Sequence, residues 1–563
     1  MEKFSDLAYT RPDIEQFKKD YAAKTQAFKE AKTYEEAKKL YFEIESMMKD
    51  LSTTHTLASV RNTMDTTDEF YDKEMDFLNE AIPTLIPYDK AFNQALLSTP
   101  FRKEFEQEFG VMIFRTTENE ELIRSEAIVE DLVEESKLCT DYSRTAAACK
   151  TTFRGEECNF YGLLKHMEST DREERREAYH AWAKLYEDAS EELDKQYDRL
   201  IQVRVAMAKK LGFSSYTQLA YKNNQRLDYT AEDVANFRQQ IVDVVVPACQ
   251  KLREKQAKRL GLDSLKYYDE PLCFPDGNAN PIGDKDFMVA QATKMYHELS
   301  PETGEFFDFM TRYELFDLET RPGKHLGGYC TSLPKYQAPF IFSNFNGTSA
   351  DVDVLTHEAG HAFQCYSSSR TQPLVNYEFS TSEVSEIHSM SMETFTFPWM
   401  QLFFGKNAEK YRFSHLCDSL WVMPYMACVD EFQHRVYEKP EMSAKERRGV
   451  WHELEQKYLP WRDYDGVSFL EEGGFWMQKQ HIFLYPFYYI DYALAQTCAF
   501  QLYGRMKEDQ KTAWSDYLRL CRAGGSLPYF ELLKVANLSN PFASGSVEKA
   551  VSHVLKELEE SQW

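Results

Sequence analysis

The run His357-Glu358-Ala359-Gly360-His361 constrains this chain more than any other part of it. Residues four apart lie on one face of an α-helix, so both imidazoles reach a single metal ion only if this segment is helical. Glu358 stands beside them, where a carboxylate can take the proton of a metal-bound water. Zinc favours nitrogen ligands and keeps a coordination position open in catalytic sites, so the arrangement points to a hydrolase centre. Two imidazoles do not complete a zinc site. The fold must deliver a third protein ligand from another segment.

The surrounding residues fit a helix. Thr348 with Asp351 three residues later forms a capping-box pattern, and Val352, Leu355, Ala359 and Phe363 supply an apolar side. Asp353, His357 and His361 share another side, which makes Asp353 a candidate to orient a ligand imidazole. Gly360 costs about 1 kcal/mol relative to alanine inside a helix. Such a glycine implies a close neighbour, either a second helix or a substrate strand. An extended motif with glycine three and histidine six residues beyond the second histidine is excluded, because those positions are Gln364 and Ser367. The other common source is a carboxylate on a following helix. Ser380-Thr381-Ser382-Glu383 reads as a helix start, and the helix is expected to run to about Phe397, before Pro398. Glu383, Glu386 and Glu393 lie along one broad face of it, with His388 as a rival. Spacing alone does not choose among them.

A chain of 563 residues is long enough for two to four domain-sized units. We place a boundary near residue 180, between an N-terminal helical domain with a small hairpin (1–180) and a catalytic domain (181–563). Helical patterns dominate, as in Tyr34 to Lys49 and Arg172 to Arg204. Thr151 to Phe160 reads as a hairpin turning at Gly155, and Gly323 to Thr348 as short strands and turns. An exposed edge strand there would pair with an extended peptide through main-chain hydrogen bonds. The net charge of −25 argues against nucleic-acid and anionic-membrane partners. Ile241 to Cys249, an apolar run too short for a membrane span, is interrupted by Asp243 and Pro247. Met1 to Asp6 lacks a basic segment followed by an apolar core, and eleven cysteines are scattered without paired spacing. Both features lead us to expect a cytoplasmic protein with reduced thiols.

A second unusual stretch runs from His481 through Tyr485, Tyr488 and Tyr489 to Tyr492. It follows Gly473-Gly474, read as a flexible turn that gates access. Tyrosine hydroxyls stay protonated at neutral pH and make suitable donors to the negative oxygen that develops when water adds to a peptide carbonyl. Gly524-Gly525-Ser526 borders either a cleft or a plain helix connection.

The motif, followed by Ser385-Glu386-Ile387-His388-Ser389-Met390-Ser391-Met392-Glu393, resembles the thimet-oligopeptidase and oligoendopeptidase F group of zinc metallopeptidases, above all its Pz-peptidase branch. The resemblance extends over Gly327 to Thr348 and His481 to Leu494, and more weakly over the N-terminal half. It implies a mainly α, elongated multi-helix fold with a small β-sheet beside the zinc-binding helices and a deep substrate channel. It also implies one zinc ion per chain, held by His357, His361 and the glutamate matching Glu386, with Glu358 as general base. His481, Tyr489 and Tyr492 match its carbonyl-binding residues, with Tyr488 the one-residue alternative to Tyr489. Some zinc peptidases place an aspartate four residues after the ligand glutamate. Met390 stands there in this chain, leaving Asp353 or Glu393 to support the ligands. The implied activity is endopeptidase cleavage of short unfolded oligopeptides, extended along the strand near Phe340 to Phe345. A zinc carboxypeptidase on the same ligands and a non-catalytic peptide-binding protein are the alternatives.

Overall fold

The computed structural model describes residues 1–321, 323–325 and 327–563, so Leu326 of the expected β-rich stretch lies outside the described residues. Among the described residues the fold is mainly α, with two small sheets. Its residues form two compact units, each assembled from three segments. One comprises 1–121, 280–408 and 505–538; the other comprises 122–279, 409–504 and 539–563. The expected boundary near residue 180 falls inside the continuous 39-residue helix Arg172–Lys210, capped by the Asp171 side chain.

In the first unit, β3 (Phe316–Glu319), β4 (Tyr329–Leu333) and β5 (Ala338–Phe345) form a sheet in the order β3-β5-β4. Strand β5 runs parallel to β3 and antiparallel to β4, with Tyr329 opposite Phe342 and Leu333 opposite Ala338. All of β5 except Asn344 is buried. This corrects the expectation that Phe340 to Phe345 receives a substrate strand: β5 is the central strand, paired on both sides at Ile341 and Phe342, so a peptide cannot lie along its whole length. The sheet's edges are β3 and β4.

Helix Ala350–Thr371 follows β5 directly and carries the metal motif; helix Ser382–Phe395 comes next and carries the candidate glutamates. The capping box expected at Thr348 does not form. Asp351 instead accepts the backbone N–H groups of Asn346 and Gly347, at 3.0 and 2.7 Å, while Thr348 turns to the Asn346 side chain. An aromatic core that includes Tyr21, Phe28, Phe92, Phe105 and Phe109 extends to Tyr377, in the connection between the two helices. The Tyr377 hydroxyl donates to the Phe109 carbonyl at 2.8 Å, which ties that connection to the N-terminal helices.

The second unit holds β1 (Thr151–Phe153) and β2 (Glu156–Cys158), the expected hairpin, turning through Arg154 and Gly155, both at positive φ. It also holds the aromatic stretch, as the short helix Gln480–Leu484, a turn, and the start of helix Ile490–Glu508. Gly473 and Gly474 do not form a flexible gate. Both are buried, and a Cβ on Gly473 would lie 2.1 Å from the Arg448 carbonyl oxygen, so the turn is packed too tightly to swing. Among the described residues, no helix is long and apolar enough to cross a membrane.

Candidate functional site

The motif helix and the glutamate helix cross unusually closely, and Gly360 is the reason. A Cβ at this position would stand 2.6 Å from Ser389 Cα and 2.7 Å from the His388 carbonyl oxygen, both backbone atoms with little freedom to yield. The neighbour implied by that glycine is therefore the helix that carries Glu386. Further bonds fix the pair. Gln364 donates to the Glu378 carbonyl at 2.8 Å, and the Tyr517 hydroxyl donates to the His388 carbonyl at 2.9 Å. Gly525 donates its N–H to the Tyr377 carbonyl at 3.0 Å, so the Gly524-Gly525 turn packs on the connection between the helices.

This crossing brings together His357, His361 and Glu386, the one group of three or more metal-binding side chains found among the described residues. Their donor atoms lie within 4.8 Å of one another. Glu386 Oε2 is 3.3 Å from His357 Nε2 and 3.5 Å from His361 Nε2. Ligands of a tetrahedral zinc ion, bonded at about 2.0–2.1 Å, stand about 3.3–3.4 Å apart, so both distances from Glu386 fit such an ion. The imidazoles are partly exposed and nearly perpendicular, whereas Glu386 is buried.

Supporting contacts come from the same two helices. His357 Nδ1 donates to Glu393 Oε1 at 2.6 Å, which leaves Nε2 toward Glu386 and able to hold a metal. Glu393 takes this role for His357. The Ser389 hydroxyl donates to Glu386 Oε2 at 2.9 Å. Serine three residues after a ligand glutamate shares its helix face, so that contact was available to pattern reading, which overlooked it. Burial disfavours a charged His357, but hydrogen bonds and negative charge from Glu386 and Glu393 outweigh it and hold the imidazole pKa well above 6.5. Burial also disfavours a charged Glu386; the His361 and His357 charges reverse that and hold its pKa well below 4.5. His388, the rival ligand, packs against the Tyr517 ring, and burial, helped by the charge of His361, pushes its pKa down to about 3. Neither it nor Glu383 joins the donor group.

Glu358 is half-buried on the motif helix. Its charge is felt by the Cys330 thiol on β4, whose pKa is raised by burial first and then by Glu358 and Glu378. Strand β4 packs against the motif helix, within reach of the Glu358 charge, a neighbour with no signature in the sequence.

In the second unit, the aromatic stretch gathers into one cluster. The His481 ring centroid lies 4.8 Å from that of Tyr489, 6.0 Å from Tyr488 and 6.1 Å from Tyr492. Tyr489 is only 8% exposed, with the Lys479 ammonium 4.5 Å from its ring centre, whereas Tyr488 and Tyr492 are half-buried.

The comparisons agree with this architecture. Residues 4–123 match the peptidase M3 N-terminal domain, and residues 165–272 and 291–551 match the model of peptidase family M3. The chain belongs to peptidase family M3. Among solved structures, a Pz peptidase A in complex with an inhibitor is 47% identical, with a TM-score of 0.95 and 100% of both chains covered. Oligopeptidase PepF of Bacillus subtilis is 21% identical over 98% of this chain and 83% of its own length. The chromosomal oligoendopeptidase F of Lactococcus lactis subsp. cremoris is 24% identical over 67% of this chain, and the match spans 62% of that relative. The M3 assignment agrees with the resemblance carried by the motif and by the segment around Glu386.

Proposed function

We propose that this M3 family member is a cytoplasmic zinc endopeptidase that hydrolyses internal bonds of short, unfolded peptides. The donor group His357–His361–Glu386, with Glu386 at zinc-ligand spacing from each imidazole and Glu358 on the histidines' helix, carries this reading. Relatives named as oligopeptidases and oligoendopeptidases support the substrate class, and eleven free cysteines support the reducing compartment.

One zinc ion, held through His357 Nε2, His361 Nε2 and Glu386 Oε2, would polarise the scissile carbonyl and acidify a water. Glu358 accepts the proton of the attacking water and returns it to the departing amine. Glu393 keeps His357 in the tautomer that presents Nε2, and Ser389 orients Glu386. His481, Tyr492 and either Tyr488 or Tyr489 donate to the carbonyl oxygen as it gains negative charge. Tyr488 is the more accessible of the adjacent pair, and Tyr489 the closer to the His481 ring. An extended peptide aligns along edge strand β4, beside Glu358, in place of the central β5.

A peptide blocked at both ends tests the reading. Internal cleavage with zinc loaded is the expected result. Removal of residues only from peptides with a free C-terminus would make the protein a carboxypeptidase, and binding without cleavage would leave it a peptide-binding protein.

A further inference from the structure

Phe487, in the turn between the two aromatic helices, is fully buried and sits at φ +64°, a left-handed conformation seldom adopted by a bulky side chain. Such a turn persists only where its surroundings hold it, and here both of its main-chain groups are held by buried side chains from distant segments. The Phe487 N–H donates to Gln433 Oε1 at 3.0 Å. Its carbonyl accepts from Arg226 Nη2 at 2.5 Å, and the same nitrogen donates to Asp491 Oδ1 at 2.6 Å. The Arg226 and Asp491 side chains are both fully buried. Asn224 adds a bond to the Pro486 carbonyl at 3.2 Å, and Arg204 one to the Phe483 carbonyl at 2.5 Å.

The placement of these contacts gives them a consequence for chemistry. Phe487 immediately precedes Tyr488 and Tyr489, and Asp491 immediately precedes Tyr492. The Arg226 guanidinium therefore ties a point just before Tyr488 and Tyr489 to a point just before Tyr492. An arginine serving only to neutralise Asp491 would need no carbonyl partner. The Nη2 amino group donates to both, and so fixes the spacing between the two stretches of chain.

We propose that Arg226, assisted by Gln433, is a positioning residue for hydrolysis: it locks the Phe487 turn and so sets the aim of the tyrosine hydroxyls. This rests on the reading of those tyrosines as carbonyl donors given above. Arg226 is too deeply buried to meet substrate itself.

The test uses the zinc-loaded, full-length protein. Arg226→Lys keeps a positive charge near Asp491, but the shorter side chain cannot bring its ammonium to the Nη2 position that holds both oxygens. It is expected to lower kcat by about 10–100-fold, with KM, zinc content and melting temperature close to wild type. In a protein also carrying Tyr488→Phe, Tyr489→Phe and Tyr492→Phe, the same substitution is expected to change kcat by less than about twofold, because the groups it positions are gone. Wild-type kcat in Arg226→Lys, or an undiminished effect in an impaired triple-phenylalanine background, would overturn the positioning role. Full activity of the triple-phenylalanine protein would instead overturn the reading of the tyrosines. If Arg226→Lys does not fold, Gln433→Leu releases the same turn from its N–H side and carries the same expected and contrary results.

Discussion

The two helices that bring together His357, His361 and Glu386 and the aromatic stretch are organised in opposite ways. In the first region the functional groups come from two helices close in sequence, and their supports, Glu393 and Ser389, lie on those same helices. In the second, the side chains are contiguous, but what holds them comes from far away: Arg226 and Gln433 grip Phe487 across sequence separations of 261 and 54 residues. Helical periodicity exposes the first kind of site to inspection. The second depends on tertiary burial, which no local spacing encodes.

Substitutions at the two regions should separate this difference. The largest effect is expected from Glu386→Ala, which removes a ligand and leaves two imidazoles. Zinc content should fall well below one per chain, with turnover lost, as measured by metal analysis of dialysed protein. Tight zinc binding by that variant would move the third ligand elsewhere. Tyr492→Phe should leave zinc content intact and reduce kcat by about 10²–10³-fold, the usual cost of one donor to a developing oxyanion. That contrast, metal loss against kcat loss at full metal, is the sharpest separation of the regions. Glu393→Gln should weaken zinc affinity by about 10–100-fold in a competition titration with a chelator.

Protonation offers a smaller test of the first region. In the ion-free protein the His357 pKa is raised above 6.5, so its protonated form adds stability below that value, and the contribution is lost as pH rises through the raised one. Zinc must displace this proton, so its affinity should climb over the same range, and Glu393→Gln should move the climb to lower pH. Gly360→Ala should cost about 1–3 kcal/mol by forcing the helices apart, seen as a lower melting temperature of the ion-free protein.

These contrasts also explain what was legible in the sequence. His357, Glu358 and His361 were readable because four-residue spacing on a helix is a geometric statement. Glu386 was one of several acidic candidates by spacing and was singled out by family resemblance. The crossing at Gly360 then shows why that helix is near enough to contribute. The substrate strand was misplaced because β5 looks, by composition, like any apolar strand; only the order β3-β5-β4 reveals that it is central. The Gly473-Gly474 turn misled for a related reason: small residues permit motion and close packing alike, and here the Arg448 carbonyl shows it is packing.

Glu358→Gln tests the central claim most directly, because it removes the proton acceptor and keeps the ligand set. With zinc near one per chain, cleavage of an end-blocked peptide is expected to fall by about 10²–10⁴-fold or more. Wild-type cleavage by that zinc-loaded variant would contradict the role of Glu358 as general base.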